Sequence, residues 1–185
     1  MKRVVSFLLL GVMLCGCSGN DLMERALAFR SQLLSASHCS FSAEITADYG
    51  DQIHTFDMDC ASDAEGKLTF QVTAPETIRG ISGRIGDSGG KLTFDDTALH
   101  FDLLADRQLS PISAPWIMVK TLRSGYLTSV GEENGMLRLT LNDSYMEDAL
   151  QVDVWISEKD QPFQCEILYS GKKILSLSVK NFDLM

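Results

Sequence analysis

From Phe41 to the end of the chain, apolar and polar residues alternate with a period of two, and the apolar set stays on one face. Phe41, Ala43, Ile45 and Ala47 alternate with Ser42, Glu44 and Thr46. Phe56, Met58 and Cys60 alternate with Thr55, Asp57 and Asp59, and Leu68, Phe70, Val72 and Ala74 with Lys67, Thr69, Gln71 and Thr73. Shorter pieces follow at Ile81 to Ile85, Lys91 to Phe94, and Leu99, Phe101 and Leu103. The last strands carry Leu137/Leu139/Leu141, Leu150/Val152/Val154/Ile156, Phe163/Cys165/Ile167 and Leu175/Leu177/Val179. Turns rich in Gly, Asp and Lys separate them. The pattern predicts an antiparallel meander of roughly ten strands, apolar on one face and polar on the other. Such a face cannot stay open to water. At ~25 cal/mol per Å² its exposure would cost tens of kcal/mol, so the sheet must curl over it.

Two helices are expected to complete the cover. Leu22, Ala26, Phe29 and Leu33 make one apolar stripe over Asp21 to Ser37, with Asp21 as N-cap and Glu24 at capping-box spacing. A second, very apolar helix near 114–124 interrupts the meander, with Ser113 as N-cap, Pro115 in its first turn and Gly125 as its stop. The fold class is therefore mainly β (α+β): a curved antiparallel sheet with an N-terminal helix and a short lid helix.

The N-terminus reads as an export signal. Lys2 and Arg3 precede the apolar stretch Val4 to Leu14, which is too short to span a bilayer. Leu14-Cys15-Gly16-Cys17 resembles the lipobox of bacterial lipoproteins, in which the thiol of the final cysteine takes a diacylglycerol and the peptide is cut just before it. The resemblance implies a signal peptide at 1–16, a lipidated tether at 17–20 beginning with Cys17 as the attachment site, and one domain at 21–185. It also implies an extracytoplasmic protein held to the cell membrane through acyl chains, palmitate among them. Residues 1–16 hold two basic and no acidic side chains. Their removal leaves 169 residues with 14 basic against 25 acidic side chains, a net charge of −11. Nothing so acidic has an electrostatic reason to hold nucleic acid.

Several motifs invite chemistry and lack the context for it. Gly86-Asp87-Ser88-Gly89-Gly90 matches the nucleophile signature of chymotrypsin-like proteases, and Ser35-Ala36-Ser37-His38-Cys39 resembles their histidine motif. Fifty residues separate His38 from Ser88, too few for the two barrels and the aspartate strand of that family. A hairpin turn is the simpler reading. The segment Gly80 to Gly90 has neither GxGxxG nor GK[ST], which argues against a phosphate cradle. Asp57, Asp59, Asp95 and Asp96 read as a solvated face, and His38, His54 and His100 share no spacing. No catalytic residue, metal site or cofactor is expected. Cys39 and Cys60 would pair as a cross-strand disulfide if the turn centres between Tyr49 and Gly50, where paired numbers sum to 99. A turn centred at Gly50-Asp51 moves the sum to 101 and leaves them as buried thiols. Cys165 reads as a small core residue.

An N-terminal helix, a one-sided meander and a helix within it, on a lipoprotein of this size, resemble the Lol-type lipoprotein-carrier superfamily. Phe41 to Tyr49, Leu68 to Glu76, Ile81 to Ile85, Leu99 to Leu122 and Val152 to Ile156 carry the likeness. It implies an unclosed β-barrel with helices as a lid over an apolar cavity, and a non-catalytic role in carrying or sensing a lipid or acyl chain. Its walls would include Phe41, Ile45, Phe56, Met58, Phe70, Val72, Phe101, Leu139 and Val154, with Trp116, Ile117 and Leu122 on the lid. The alternative on the same scaffold is a regulator with a filled core that binds an envelope protein.

Overall fold

In the computed structural model, which describes residues 18–185 apart from 96, 102, 103, 106 and 107, the change from helical to strand periodicity near residue 37 marks the first change of element. Cys17, the expected signal segment, Asp96 and Leu103 lie outside the described residues. Helix α1 spans Ser18–Ser35 and buries Ala26, Phe29 and Leu33, with Leu22 packed beside them. It begins three residues before the expected start. Ser18 to Asn20, expected as tether, are helical, and Asp21 sits inside the first turn instead of capping it. There its carboxylate still complements the helix dipole.

The strands are β1 (His38–Asp48), β2 (Ile53–Asp63), β3 (Leu68–Ala74), β4 (Ser82–Gly86), β5 (Gly89–Phe94) and β6 (Thr97–Phe101), then a two-residue hairpin of β7 (Leu104–Ala105) and β8 (Gln108–Leu109). Helix α2 (Ala114–Ser124) follows, and then β9 (Tyr126–Glu133), β10 (Met136–Asn142), β11 (Gln151–Ile156), β12 (Pro162–Tyr169) and β13 (Lys172–Leu184). Eleven of them form one antiparallel sheet in the order β6-β5-β4-β3-β2-β1-β13-β12-β11-β10-β9. The sheet is not closed. Every neighbour is a sequence neighbour except at the middle, where the first strand meets the last.

That order dictates where α2 goes. The chain leaves the sheet at one edge, β6, and re-enters at the other, β9, so the connection must cross the whole width. It crosses on the apolar side. Helix α2 touches β2, β10, β11, β12 and β13 and buries Ala114 to Val119, Thr121 and Leu122. A helix apolar on nearly every side belongs in a core, which is where this one lies.

The inward side chains of β1–β3 and β10–β13 are buried as the alternation requires. Two places depart from it. Phe163, expected inward, is 54% exposed because a register shift between Trp155 and Ile156 turns Pro162 into the core in its place. Near the end of β13, Asn181 takes a left-handed conformation (φ 54°) and the register with β1 slips at Ser40/Ser42. Val179 and Phe182 can then both point inward, and the Phe182 ring lies 5.8 Å from that of Phe41.

Candidate functional site

All twelve expected wall and lid residues converge on the concave side. Phe41 and Ile45 on β1, Phe56 and Met58 on β2, Phe70 and Val72 on β3, Leu139 on β10, Val154 on β11, and Trp116, Ile117 and Leu122 on α2 are buried in one contiguous apolar cluster. Phe101 on β6 is half-buried and packs against that cluster. These residues therefore face one another and α2 across the trough of the sheet.

Polar bonds at both ends fasten α2 in that trough. The Trp116 indole N–H donates to the Gly66 carbonyl in the β2–β3 turn (3.0 Å) and the Arg123 guanidinium to the Asp63 carbonyl at the end of β2 (2.7 Å). Lys120 makes a 2.7 Å ion pair with Asp87 in the β4–β5 turn and lies 4.6 Å over the Trp116 ring. At the C-terminus, Arg30 of α1 donates to the carbonyls of Leu122 (2.8 Å), Arg123 (3.3 Å) and Gly125 (2.8 Å). It meets carbonyls that a helix end leaves without partners. Burial lowers the pKa of the Arg30 guanidinium. Gly125 ends the helix as expected, with its N–H on the Thr121 carbonyl (2.8 Å). Ser113 occupies the N-cap position but makes no capping bond, since its hydroxyl donates to the Ser110 carbonyl (2.6 Å).

The concave face is not uniformly buried. Cross-strand register puts Leu68, Ile85, Gly90 and Phe101 in one inward rank and Phe70, Gly83, Leu92 and Leu99 in the next. Rings replace the missing side chains of the two glycines. A Cβ on Gly83 would meet the Phe70 ring at 2.8 Å and the Lys91 carbonyl oxygen closer still, and one on Gly90 would run into the Phe101 ring. Toward the β6 edge the cover thins: Leu92 is half-buried, Phe94 is 45% exposed and Leu99 62% exposed. By strand alternation all three share the face that is buried in the rest of the sheet. The result is a strip of large apolar side chains meeting water along the β5–β6 flank.

The decoy motifs resolve as structure. Asp87 and Ser88 form the two-residue turn of the β4–β5 hairpin, closed by the Gly86–Gly89 pair, with Gly89 at φ 102°. His38 pairs with Asp63 at the start of β1. Tyr49 to Gln52 form the β1–β2 turn, so the register sum is 101, with Cys39 opposite Ser62 and Cys60 opposite Phe41. Cys39, Cys60 and Cys165 are free buried thiols. The disulfide expectation is thereby corrected: diagonal partners sit too far apart to bridge without backbone movement. Burial is the main force raising the pKa of each thiol. Asp59 accepts a 2.8 Å bond from the Ser42 hydroxyl, and Asp57 sits opposite Glu44. No group of three or more His, Cys, Asp or Glu side chains suited to a metal occurs among the described residues.

Sequence reasoning missed the polar features of the convex face. Asp153, only 2% exposed, accepts from Arg138 (2.8 Å) and Gln151 (3.2 Å). Arg138 also bonds Glu133 (3.0 Å), which accepts from the Trp155 indole (3.0 Å). The Asp153 hydrogen bond is the main force raising the Arg138 pKa. A groove of about 420 Å³ lies beside this network along β9 and β10. A second pocket, about 270 Å³, lies at the β4–β5 turn and is lined by Lys67, Arg84, Ser88, Lys91 and His100 together with turn glycines.

No family model matches the sequence, and no curated protein is significantly similar to it. Among solved structures, the chain is similar to a LolA superfamily protein of Nitrosomonas europaea at 9% identity and TM-score 0.46, covering 86% of this chain and 93% of that one. It is similar to a putative outer membrane lipoprotein-sorting protein domain of Vibrio parahaemolyticus at 12% identity and TM-score 0.48, covering 88% and 91%. The lipoprotein LppX of Mycobacterium tuberculosis aligns at 10% identity and TM-score 0.44, covering 89% and 96%. At these identities the likeness is one of fold alone.

Proposed function

We propose that the chain is an extracytoplasmic lipoprotein, held to the membrane by acyl chains on Cys17, that binds a lipid or acyl chain without acting on it chemically. The observation that carries this reading is the uncovered flank of the concave face, where Leu92, Phe94 and Leu99 continue the buried surface into solvent. An acyl chain laid along these residues meets the half-buried Phe101 at the rim of the core. The other wall residues named above pack around α2 in the core beyond that seat. Each buried methylene contributes roughly 0.8 kcal/mol, so ten in contact offset a large part of the association cost. The cover, α2, is fixed by its polar bonds, so the ligand enters from the side at β5–β6 and not by displacing the helix.

The test is titration of the unlipidated mature domain (Cys17→Ser) with a fluorescent fatty acid. Saturable binding displaced by unlabelled fatty acid is expected, and Leu99→Asp should abolish it while leaving the melting temperature within about 2 °C, as suits a surface change. Absence of displaceable binding at micromolar probe would sink the reading.

A second reading, a regulator that binds an envelope protein through its outer face, is favoured by one observation. Eleven of the twelve expected wall residues are packed into the core around α2. Native mass spectrometry of the protein purified from its own membrane separates the two: a retained lipid mass supports the first, and a stoichiometric protein partner with no lipid supports the second.

A further inference from the structure

The convex side of the same flank carries two cations side by side with a histidine next to them. In register, Arg84 lies opposite Lys91 and Lys91 opposite His100, so three basic side chains stand side by side across β4, β5 and β6. By alternation they point away from Ile85, Leu92 and Leu99, onto the outer surface. Lys67, just before β3, joins them around the 270 Å³ pocket, whose lining also includes Ile85, Ser88 and the glycines of the hairpin. Like charges placed directly opposite one another destabilise a sheet. The chain has 25 acidic side chains with which to prevent this, and it uses them nearby: Glu65 holds Lys67 (2.6 Å) and Asp87 is drawn to Lys120 (2.7 Å). Among the described residues, no carboxylate lies within ion-pair distance of Arg84 or Lys91. With Asp87 turned to α2, the Ser88 hydroxyl is left as the polar side chain of the turn facing the row.

We infer that this outer face of β4–β6 is a binding site for a phosphate-class anion, held by Arg84 and Lys91 with His100 and Ser88 at its rim. Arg84 supplies a planar fork that matches two phosphate oxygens, and Lys91 a point charge between it and the imidazole. The pocket is large enough for a phosphate and the first atoms of what it is esterified to. The anion is either free phosphate or the headgroup of an amphiphile. The second source rests on the acyl-chain reading above, because β4 and β5 present cations on one side while β5 and β6 present apolar side chains on the other, close to the edge of the sheet.

Amide chemical-shift titrations of the mature chain at low salt test this with three probes: inorganic phosphate, short-chain phosphatidate and short-chain phosphatidylcholine. Both anions should saturate shifts at Gly86 to Gly90 and His100. Arg84→Gln with Lys91→Gln should weaken them about tenfold, the scale of one charge-assisted contact pair, and leave the fold equally or more stable because the repulsion is gone. Phosphatidate binding tighter than phosphate identifies an amphiphile, and equal affinity identifies the free anion. The two readings fail separately: Leu99→Asp in the fatty-acid assay tests the apolar strip, and the double variant with inorganic phosphate tests the cations. No saturable shift with either anion overturns the site. Equal response to phosphatidylcholine, or a double variant that is less stable with unaltered binding, does so too.

Discussion

Arg30 is the side chain on which the position of α2 most depends, and its replacement has a calculable cost. Its guanidinium makes three hydrogen bonds to carbonyls at and just past the C-terminus of α2, at 2.8, 3.3 and 2.8 Å. Arg30→Ala strands those acceptors at the junction of α1, α2 and β9. A hydrogen bond to a charged group contributes ~1.5–3 kcal/mol, and the 3.3 Å contact counts for less. The helix-dipole interaction adds ~0.3–1 kcal/mol. Arg30 is half-buried, so water replaces part of what is lost, and a net destabilisation of about 2–4 kcal/mol is expected. With a urea slope of ~2 kcal/mol per M, the unfolding midpoint should fall by about 1–2 M. Arg30→Lys keeps the charge but reaches fewer acceptors, and should lose roughly half as much. Midpoint shifts below about 0.3 M for Arg30→Ala, or a lysine variant worse than alanine, would refute the view that this residue clamps the helix.

Gly83→Ala should cost about 1–3 kcal/mol, because its Cβ meets the Lys91 backbone as well as the Phe70 ring. Gly90→Ala should cost less, since only the Phe101 ring obstructs it and that ring can turn outward; thermal melts of both variants check the order. The buried thiols set a pH limit. Their folded pKa values are raised above the unfolded ~8.5, so stability is fully present below that pH and falls above it, by up to ~1.4 kcal/mol per pH unit per thiol. Denaturation midpoints from pH 7 to 10 should decline, and Cys165→Ala should flatten the decline; an unchanged slope would contradict the assignment.

The strand-by-strand inward face was readable because period-two alternation is a local property, and Phe41 to Ala47 or Leu137 to Leu141 needed nothing else. That α2 buries itself against the apolar face was also implied, since an apolar helix inside a meander has nowhere else to go; whether it fills the hollow or roofs a cavity was not. Register was not readable. Whether Cys39 faces Cys60 hangs on one residue of the Tyr49–Gln52 turn, and local composition permits either centre. Phe163 was misplaced because a bulge is decided by its neighbours across the sheet, not by its own flanks. Arg30, Arg123 and the Arg84–Lys91–His100 row were invisible for a related reason. Their partners lie on other elements, and only pairing brings them together. The thinning cover over Phe94 and Leu99 depends on how far a crossing connection reaches, which no residue pattern encodes.

The union of β1 with β13 has a consequence for how the molecule is made. Strand β1 precedes every other strand of the sheet in the chain and β13 follows them all, so the central seam stays unstitched until β13 has been made. Until then the leading half has a bare margin of unsatisfied amides and carbonyls beside its greasy side, a template for wrong partners. Contacts between such distant segments also slow folding. Removing β13 would leave β1 and β12 without their shared partner and open the sheet at its centre, so that strand is a keystone and not a loose end.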